Sequence, residues 1–176
     1  MTATELVILV DEQDNPTGIA EKLAAHRENL CHRAFSVFIY RYAPDLQILL
    51  QQRAANKYHS SGLWTNTCCS HPRPGEEIIS AGERRLKEEM GIQAELRSLG
   101  YFHYIAPFAN GLTENEVDHV LIGVTNESPI TPNPAEVQNH RWVNLTTLKQ
   151  EMTRTPDNFT PWLAKALALV EKNLTL

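Results

Sequence analysis

The segment from Arg33 to Tyr40 constrains the fold of this chain most. In an extended backbone Phe35, Val37 and Ile39 share one face, and Ala34, Ser36, Phe38 and Tyr40 share the other. Both faces are largely apolar, so the strand belongs inside a sheet. Leu6 to Val10 is a short apolar run ended by Asp11 and reads as a second buried strand. Ala43-Pro44-Asp45 reads as a hairpin turn, with Leu46 to Gln52 as the return strand. Further strands are expected at Gln93 to Phe102, Val117 to Thr125 and Asn139 to Val143. Asp14 to Gly18 and Ala109-Asn110-Gly111 carry turn chemistry, and Pro129, Pro132 and Pro134 mark a loop.

Two segments read clearly as helices. Pro72, Pro74 and Gly75 disfavour an early start and Gly91 supplies a stop, which predicts a helix from Glu76 to Met90. Ile78, Ile79, Gly82, Leu86 and Met90 fall in one sector of it. Glu89 lies inside that sector and Arg85 at its edge, while Arg84 and Lys87 face outward. A plain account of Glu89 is an i, i+4 pair with Arg85, worth about 0.3 kcal/mol. Thr160-Pro161 is the other helix start, followed by Trp162, Leu163, Ala166, Leu167 and Val170 at helical spacing. Glu21 to Glu28 carries only a weak helical or loop pattern. Strands and helices alternating around one core predict an α/β or α+β layered domain, and 176 residues suffice for one domain over 1–176.

The chemistry concentrates between Trp64 and Ile92, WTNTCCSHPRPGEEIISAGERRLKEEMGI. Alternation along Cys68 to His71 puts Cys69 and His71 on one side, a thiol beside a possible metal ligand. Cys-x-His alone is a weak metal signal, because structural zinc sites need four ligands. His26 and His32 taken singly read as ordinary histidines, and Arg53 and Lys57 as surface cations. Glu114 and Glu116 share a face at the mouth of a strand; with Asp118 and His119 close by, a solvated edge is the plain reading. The net charge of −5 argues against a nucleic-acid partner. Three cysteines, two of them adjacent, argue for reduced thiols and a cytoplasmic setting. MTATELVILVDEQ has no basic leader region, and no membrane span is visible.

The stretch from Ser70 to Ile92 resembles the Nudix box, G-x5-E-x7-R-E-U-x-E-E-x-G-U. Glu76, Arg84, Leu86, Glu88, Glu89, Gly91 and Ile92 match it. Ser70 replaces the first glycine, and Arg85 replaces a glutamate that belongs to the metal-binding cluster of Nudix hydrolases, which counts against hydrolysis. The preceding run TNTCCSHP resembles type I isopentenyl diphosphate isomerases, a non-hydrolytic branch of the same superfamily. The resemblance extends from about Lys22 to Trp162. It implies an α/β/α sandwich with a mixed sheet and a place in isoprenoid biosynthesis.

The resemblance also implies a set of roles. His26, His32, His71, Glu114 and Glu116 match the family's ligands for a divalent ion, Mn²⁺ or Zn²⁺ by donor type. Mg²⁺ would bridge Glu89 and the substrate diphosphate. Lys22, Arg53, Lys57 and Arg85 match the diphosphate-binding cations, so that Arg85 turns a hydrolytic ligand into a phosphate clamp. Cys69 and Glu116 match the two proton-transfer groups, with Tyr104 hydrogen-bonded to Glu116 and Trp162 over the carbocation. The expected partner is a small diphosphate, with no nucleic acid or membrane, on a monomeric protein. Two other readings remain open from sequence: a Nudix pyrophosphohydrolase and a structural metal-binding module.

Overall fold

The computed structural model describes residues 4–125 and 129–174. The two ends of the expected 1–176 domain, including the first residues of the expected leaderless N-terminal stretch, lie outside the described residues. In chain order the elements are β1 (Leu6–Val10), β2 (Pro16–Glu21), α1 (Lys22–Arg27), β3 (His32–Tyr42), β4 (Leu46–Arg53), β5 (Trp64–Thr65) and β6 (Cys68–Ser70). They continue with α2 (Ile78–Met90), β7 (Arg97–Pro107), β8 (Thr113–Val124), β9 (Val137–Asn144), α3 (Leu145–Arg154), a 3₁₀ turn at Pro156–Asn158 and α4 (Leu163–Asn173).

All the strands join one mixed sheet, and β3 is its hub. It pairs antiparallel with β1, β4 and β6, and parallel with β8 from His32↔Glu116 to Tyr40↔Val124. Its alternation feeds two cores. Phe35, Val37 and Ile39 pack with Leu86 and Met90 of α2. Phe38 packs on the opposite side with Leu148 of α3 and Leu163 and Leu167 of α4. Burying each such side chain contributes about 1.5–3 kcal/mol, which is why a strand apolar on both faces requires helices on both. The result is the α/β/α layering expected from the sequence.

Several boundaries differ from the sequence reading. The turn lies at Asp11–Asn15, where the Asp11 carboxylate accepts from the backbone of Gln13 and Asn15, and Pro16–Glu21 forms an edge strand on β1. Proline fits there because an edge strand tolerates a missing donor. The helix α2 starts two residues later than expected because Glu76 is engaged elsewhere, accepting from Arg84 and the Arg73 backbone. Ile79, expected in its apolar sector, is exposed, and Ala81 takes the buried place. Gly82 lets α2 approach β8; a Cβ there would sit 2.6 Å from Leu121 Cδ1. Strand β7 begins only at Arg97, and β8 begins at Thr113, so Glu114 and Glu116 lie within a strand. The helix α4 begins at Leu163, after a turn closed by Leu163 N–H on Thr160 O, so Thr160 does not cap it as expected. The helix α3 was not anticipated, since Leu148 is its only buried residue among those described and no apolar stripe announces it.

Candidate active site

The parallel β3–β8 register sets the site. It places His32 beside Glu116 and Ala34 beside Asp118, while β6 places Cys69 beside Ser36. Period-two alternation sends Glu114, Glu116 and Asp118 to the same face of β8. All three are buried rather than a solvated edge, at 3%, 6% and 1% exposure. The helix α1, capped by the Glu21 carboxylate, brings Lys22 and His26 over this face.

His26, His32, His71, Glu114 and Glu116 converge, each offering a ligand atom within 4.8 Å of the others. His26 Nδ1 lies 2.6 Å from Lys22 O, and His32 Nδ1 lies 2.8 Å from Leu30 O. A carbonyl can only accept, so each Nδ1 carries the proton and each Nε2 presents a lone pair inward. Those two Nε2 atoms and Glu114 Oε2 are buried without a hydrogen-bond partner. Two orphaned imidazole nitrogens and an orphaned carboxylate oxygen, within a convergent set of three imidazoles and two carboxylates, suit a divalent ion of the Mn²⁺ or Zn²⁺ type.

The charges agree with that fit. Burial and the Glu116 charge push Glu114 up. Glu116 is held well below the ordinary carboxylate range; burial opposes this, but its close contacts with the His32 and His71 imidazoles outweigh it. Burial works to lower His26, and its contact with Glu114 more than reverses that. Two buried carboxylates face each other in this set, and a bound cation would relieve their repulsion. Burial takes His71 down to about 3, which leaves its imidazole neutral.

The expected cations ring the same pocket: Lys22, Arg53, Lys57 and Arg85 all line it. Three of them are held by carboxylates. Lys22 Nζ is 2.8 Å from Glu5 Oε2, Lys57 contacts Glu136, and Arg85 contacts Glu88, Glu89 and Glu136. The Arg85–Glu89 pair is therefore real, but it sits within a wider network. Glu89, only 4% exposed, also accepts from Gln51 Nε2 at 2.9 Å.

The same pocket holds the thiol. Cys69 Sγ donates to Asn66 Oδ1 at 3.0 Å and accepts from Trp162 Nε1 at 3.3 Å. Burial, then the Asp118 charge, push it up to about 12, so it is a protonated thiol. Tyr104 donates its hydroxyl to Glu116 Oε2 at 2.7 Å, as expected. Trp162 lines the pocket, with Arg53 Cζ 5.5 Å from its ring centroid. Every residue singled out from the sequence thus lies in the cluster or lines the pocket.

Among the residues in or beside this pocket that were not singled out for the site, three engage its charged groups. Asp118 accepts from Ser36 Oγ at 2.8 Å and has one buried oxygen without a partner; continuing the Glu114–Glu116 alternation by one step would have found it. Glu136 precedes β9 and gathers Lys57 and Arg85. His59, 7% exposed, contacts Glu114 from a loop with no periodic signal.

The NUDIX domain family matches residues 32–163. An isopentenyl-diphosphate Delta-isomerase of Photobacterium profundum is 47% identical over 99% of this chain and 99% of its own length. Isopentenyl-diphosphate Delta-isomerase 2 of Aromatoleum aromaticum is 48% identical over 92% of this chain and 84% of its own. A crystal structure of a Deinococcus radiodurans protein superposes with a TM-score of 0.73 at 18% identity, covering 92% of this chain and 96% of that one, and shows the shared fold alone. With a NUDIX domain over most of its length and isomerases of this name matching it nearly end to end, the chain belongs to the isopentenyl-diphosphate Delta-isomerase family.

Proposed function

We infer that this chain is an isomerase that interconverts isopentenyl diphosphate and dimethylallyl diphosphate by a proton shift along the alkene. One observation supports this above the rest: the protonated Cys69 thiol and the Glu116 carboxylate line one pocket whose other lining residues include Lys22, Arg53, Lys57 and Arg85. The four cations bind the diphosphate, and Arg85 does so from a helix position where Nudix hydrolases keep a ligand. The five-carbon tail then lies between Cys69 and Glu116, beside Tyr104 and Trp162. One of the two groups gives a proton to the terminal alkene carbon, and the other removes one from the carbon nearer the diphosphate. In the reverse reaction they exchange roles. Between those transfers positive charge builds on the tertiary carbon, where the Trp162 π face is attractive. Tyr104 holds Glu116 in place through its 2.7 Å hydrogen bond.

His26, His32, His71, Glu114 and Glu116 would hold Mn²⁺ or Zn²⁺, and Glu89 would share Mg²⁺ with diphosphate oxygens. Such ions supply positive charge that organises the carboxylates and neutralises the diphosphate. We further propose that the protein works as one domain and as a monomer, in isoprenoid biosynthesis. The described cysteines are free thiols, which fits the cytoplasm. No helix among the described residues is long and apolar enough to cross a membrane.

Arg85 also distinguishes this reading from a pyrophosphohydrolase, and the cations are unexplained by a purely structural metal module. The test is incubation of purified protein with isopentenyl diphosphate and Mg²⁺, followed by product analysis. Dimethylallyl diphosphate without released phosphate is expected; phosphate release without the isomer would favour hydrolysis.

A further inference from the structure

The two carboxylates of the cluster are held in the same way, by different residues. Glu116 turns Oε1 toward His71 Nε2 at 2.9 Å and His32 Nε2 at 3.4 Å, while its Oε2 takes the Tyr104 hydroxyl. Glu114 turns Oε2 toward His26 Nε2 at 3.4 Å. Its Oε1 lies 2.6 Å from His59 Nε2. Tyr104 belongs to the expected machinery, whereas His59 has no assigned part.

The His59 ring is fixed on several sides. It stacks on Phe108 with centroids 4.7 Å apart and planes 12° from parallel, and meets Trp162 edge-on at 6.0 Å. Its Nδ1 is 3.2 Å from Ser60 Oγ. Its own carbonyl accepts from Arg53 at 3.2 Å. Two bare lone pairs 2.6 Å apart would repel, so a proton lies between them, and the imidazole supplies it from Nε2 while Nδ1 faces the Ser60 hydroxyl, which can donate to it. His59 also falls outside the five residues whose ligand atoms converge.

We propose that His59 is a positioning residue of the metal centre: its Nε2–H ties down Glu114 Oε1, so that Glu114 meets the ion through Oε2 alone. The inference rests on the reading of the cluster as a metal site. A carboxylate free to rotate would use both oxygens and raise the coordination number, which suits larger ions; one restrained oxygen keeps the site suited to Mn²⁺ or Zn²⁺. His59 also links two regions. The loop that carries Lys57, a diphosphate-binding candidate, becomes tied through one hydrogen bond to the metal ligand set.

The test compares wild type, His59→Phe and His59→Gln after metal removal. Phenylalanine keeps the ring and its stack on Phe108 but has no donor; glutamine keeps a donor at similar reach but has no ring. Mn²⁺ titration followed by electron paramagnetic resonance reads affinity independently of turnover. Thermal unfolding of the metal-free forms reports whether each variant folds. His59→Phe should bind Mn²⁺ about 10–100-fold more weakly, the usual range for losing such an outer partner. His59→Gln should recover most of that loss. Turnover should fall in the Phe variant with KM for isopentenyl diphosphate little changed. Wild-type affinity in a folded Phe variant overturns the proposal, and so does a folded Gln variant as weak as Phe. A further reading needs no variant: in Zn²⁺-loaded wild type, a ¹H–¹⁵N spectrum should show His59 protonated at Nε2, and an unprotonated Nε2 overturns the assignment. Wild type that binds neither Mn²⁺ nor Zn²⁺ would instead remove the metal-site reading itself.

Discussion

Cys68 and Cys69 show how one residue of offset changes a side chain's work. Cys68 is fully buried and packs with Leu86 and Met90 in the α2 core. Cys69 faces the pocket, its thiol held between Asn66 and Trp162. Cys69→Ala should lower turnover by at least about 10²-fold, the range for a proton-transfer group. Cys68→Ala should leave turnover within a few-fold and lower stability by roughly 1 kcal/mol for a lost core atom. Steady-state kinetics and denaturation of both variants check this; equal losses of turnover would remove the assignment. Glu114 and Glu116 divide similarly. Each contacts an imidazole of the cluster, but only Glu116 also bonds Tyr104. Excess Mn²⁺ should partly rescue Glu114→Gln and should not rescue Glu116→Gln, read as turnover and bound metal across a titration. Full recovery of Glu116→Gln would make it a ligand only. At this scale the resemblance carried the site, since thirteen residues spread from Lys22 to Trp162 have no local signature in common. His59 and Asp118 were hidden because a lone histidine in a loop, or a carboxylate beside polar neighbours, looks solvated until the packing around it is known.

The elements were legible where a hydrophobic period was strong and illegible where a side-chain interaction set the boundary. β1 followed from a continuous apolar run and the β3–β4 hairpin from the apolar faces of β3 and the turn at Ala43-Pro44-Asp45, whereas the start of α2 depended on Glu76. Its carboxylate takes Arg84 Nε at 2.7 Å and Nη2 at 2.9 Å, and accepts from Arg73 N–H at 2.8 Å. It thereby ties the proline loop that carries His71 to the helix that carries Glu89. The Arg84 hydrogen bond, then the Arg73 backbone and both cation charges, hold Glu76 below its ordinary value of 4.5 against a modest opposing effect of burial. A depressed folded value means stabilisation present above the unfolded value and lost as pH falls. Glu76→Gln should therefore lower stability by roughly 1 kcal/mol at pH 7. In a chain of this size that is about 2–4 °C in Tm. The difference from wild type should shrink below about pH 4.5, where the wild-type carboxyl also protonates. A pH-independent difference would point to packing instead.

At the scale of the whole molecule, the layering was readable from one strand, but the order in which strands lie side by side was not. Nothing in the alternation of β3 or β8 says that they run parallel; that follows from the intervening chain and from the two cores it must cover. This pairing has a consequence in time. Ser36 and Asp118, bonded across it, are 82 residues apart in sequence. Contacts of such separation close slowly, because the loop between them must be gathered first. During synthesis the three imidazoles at His26, His32 and His71 emerge well before the carboxylates at Glu114 and Glu116, so the donor set is completed late. A slip of one residue in β8 would also turn both carboxylates to the opposite face. In refolding from denaturant, Mn²⁺ uptake should therefore follow the slowest phase of tryptophan fluorescence, and uptake ahead of it would show that the ligands gather without the sheet. Metal content would then mark which chains have closed the sheet in register, with the ion arriving as a seal on finished folding and not as its seed.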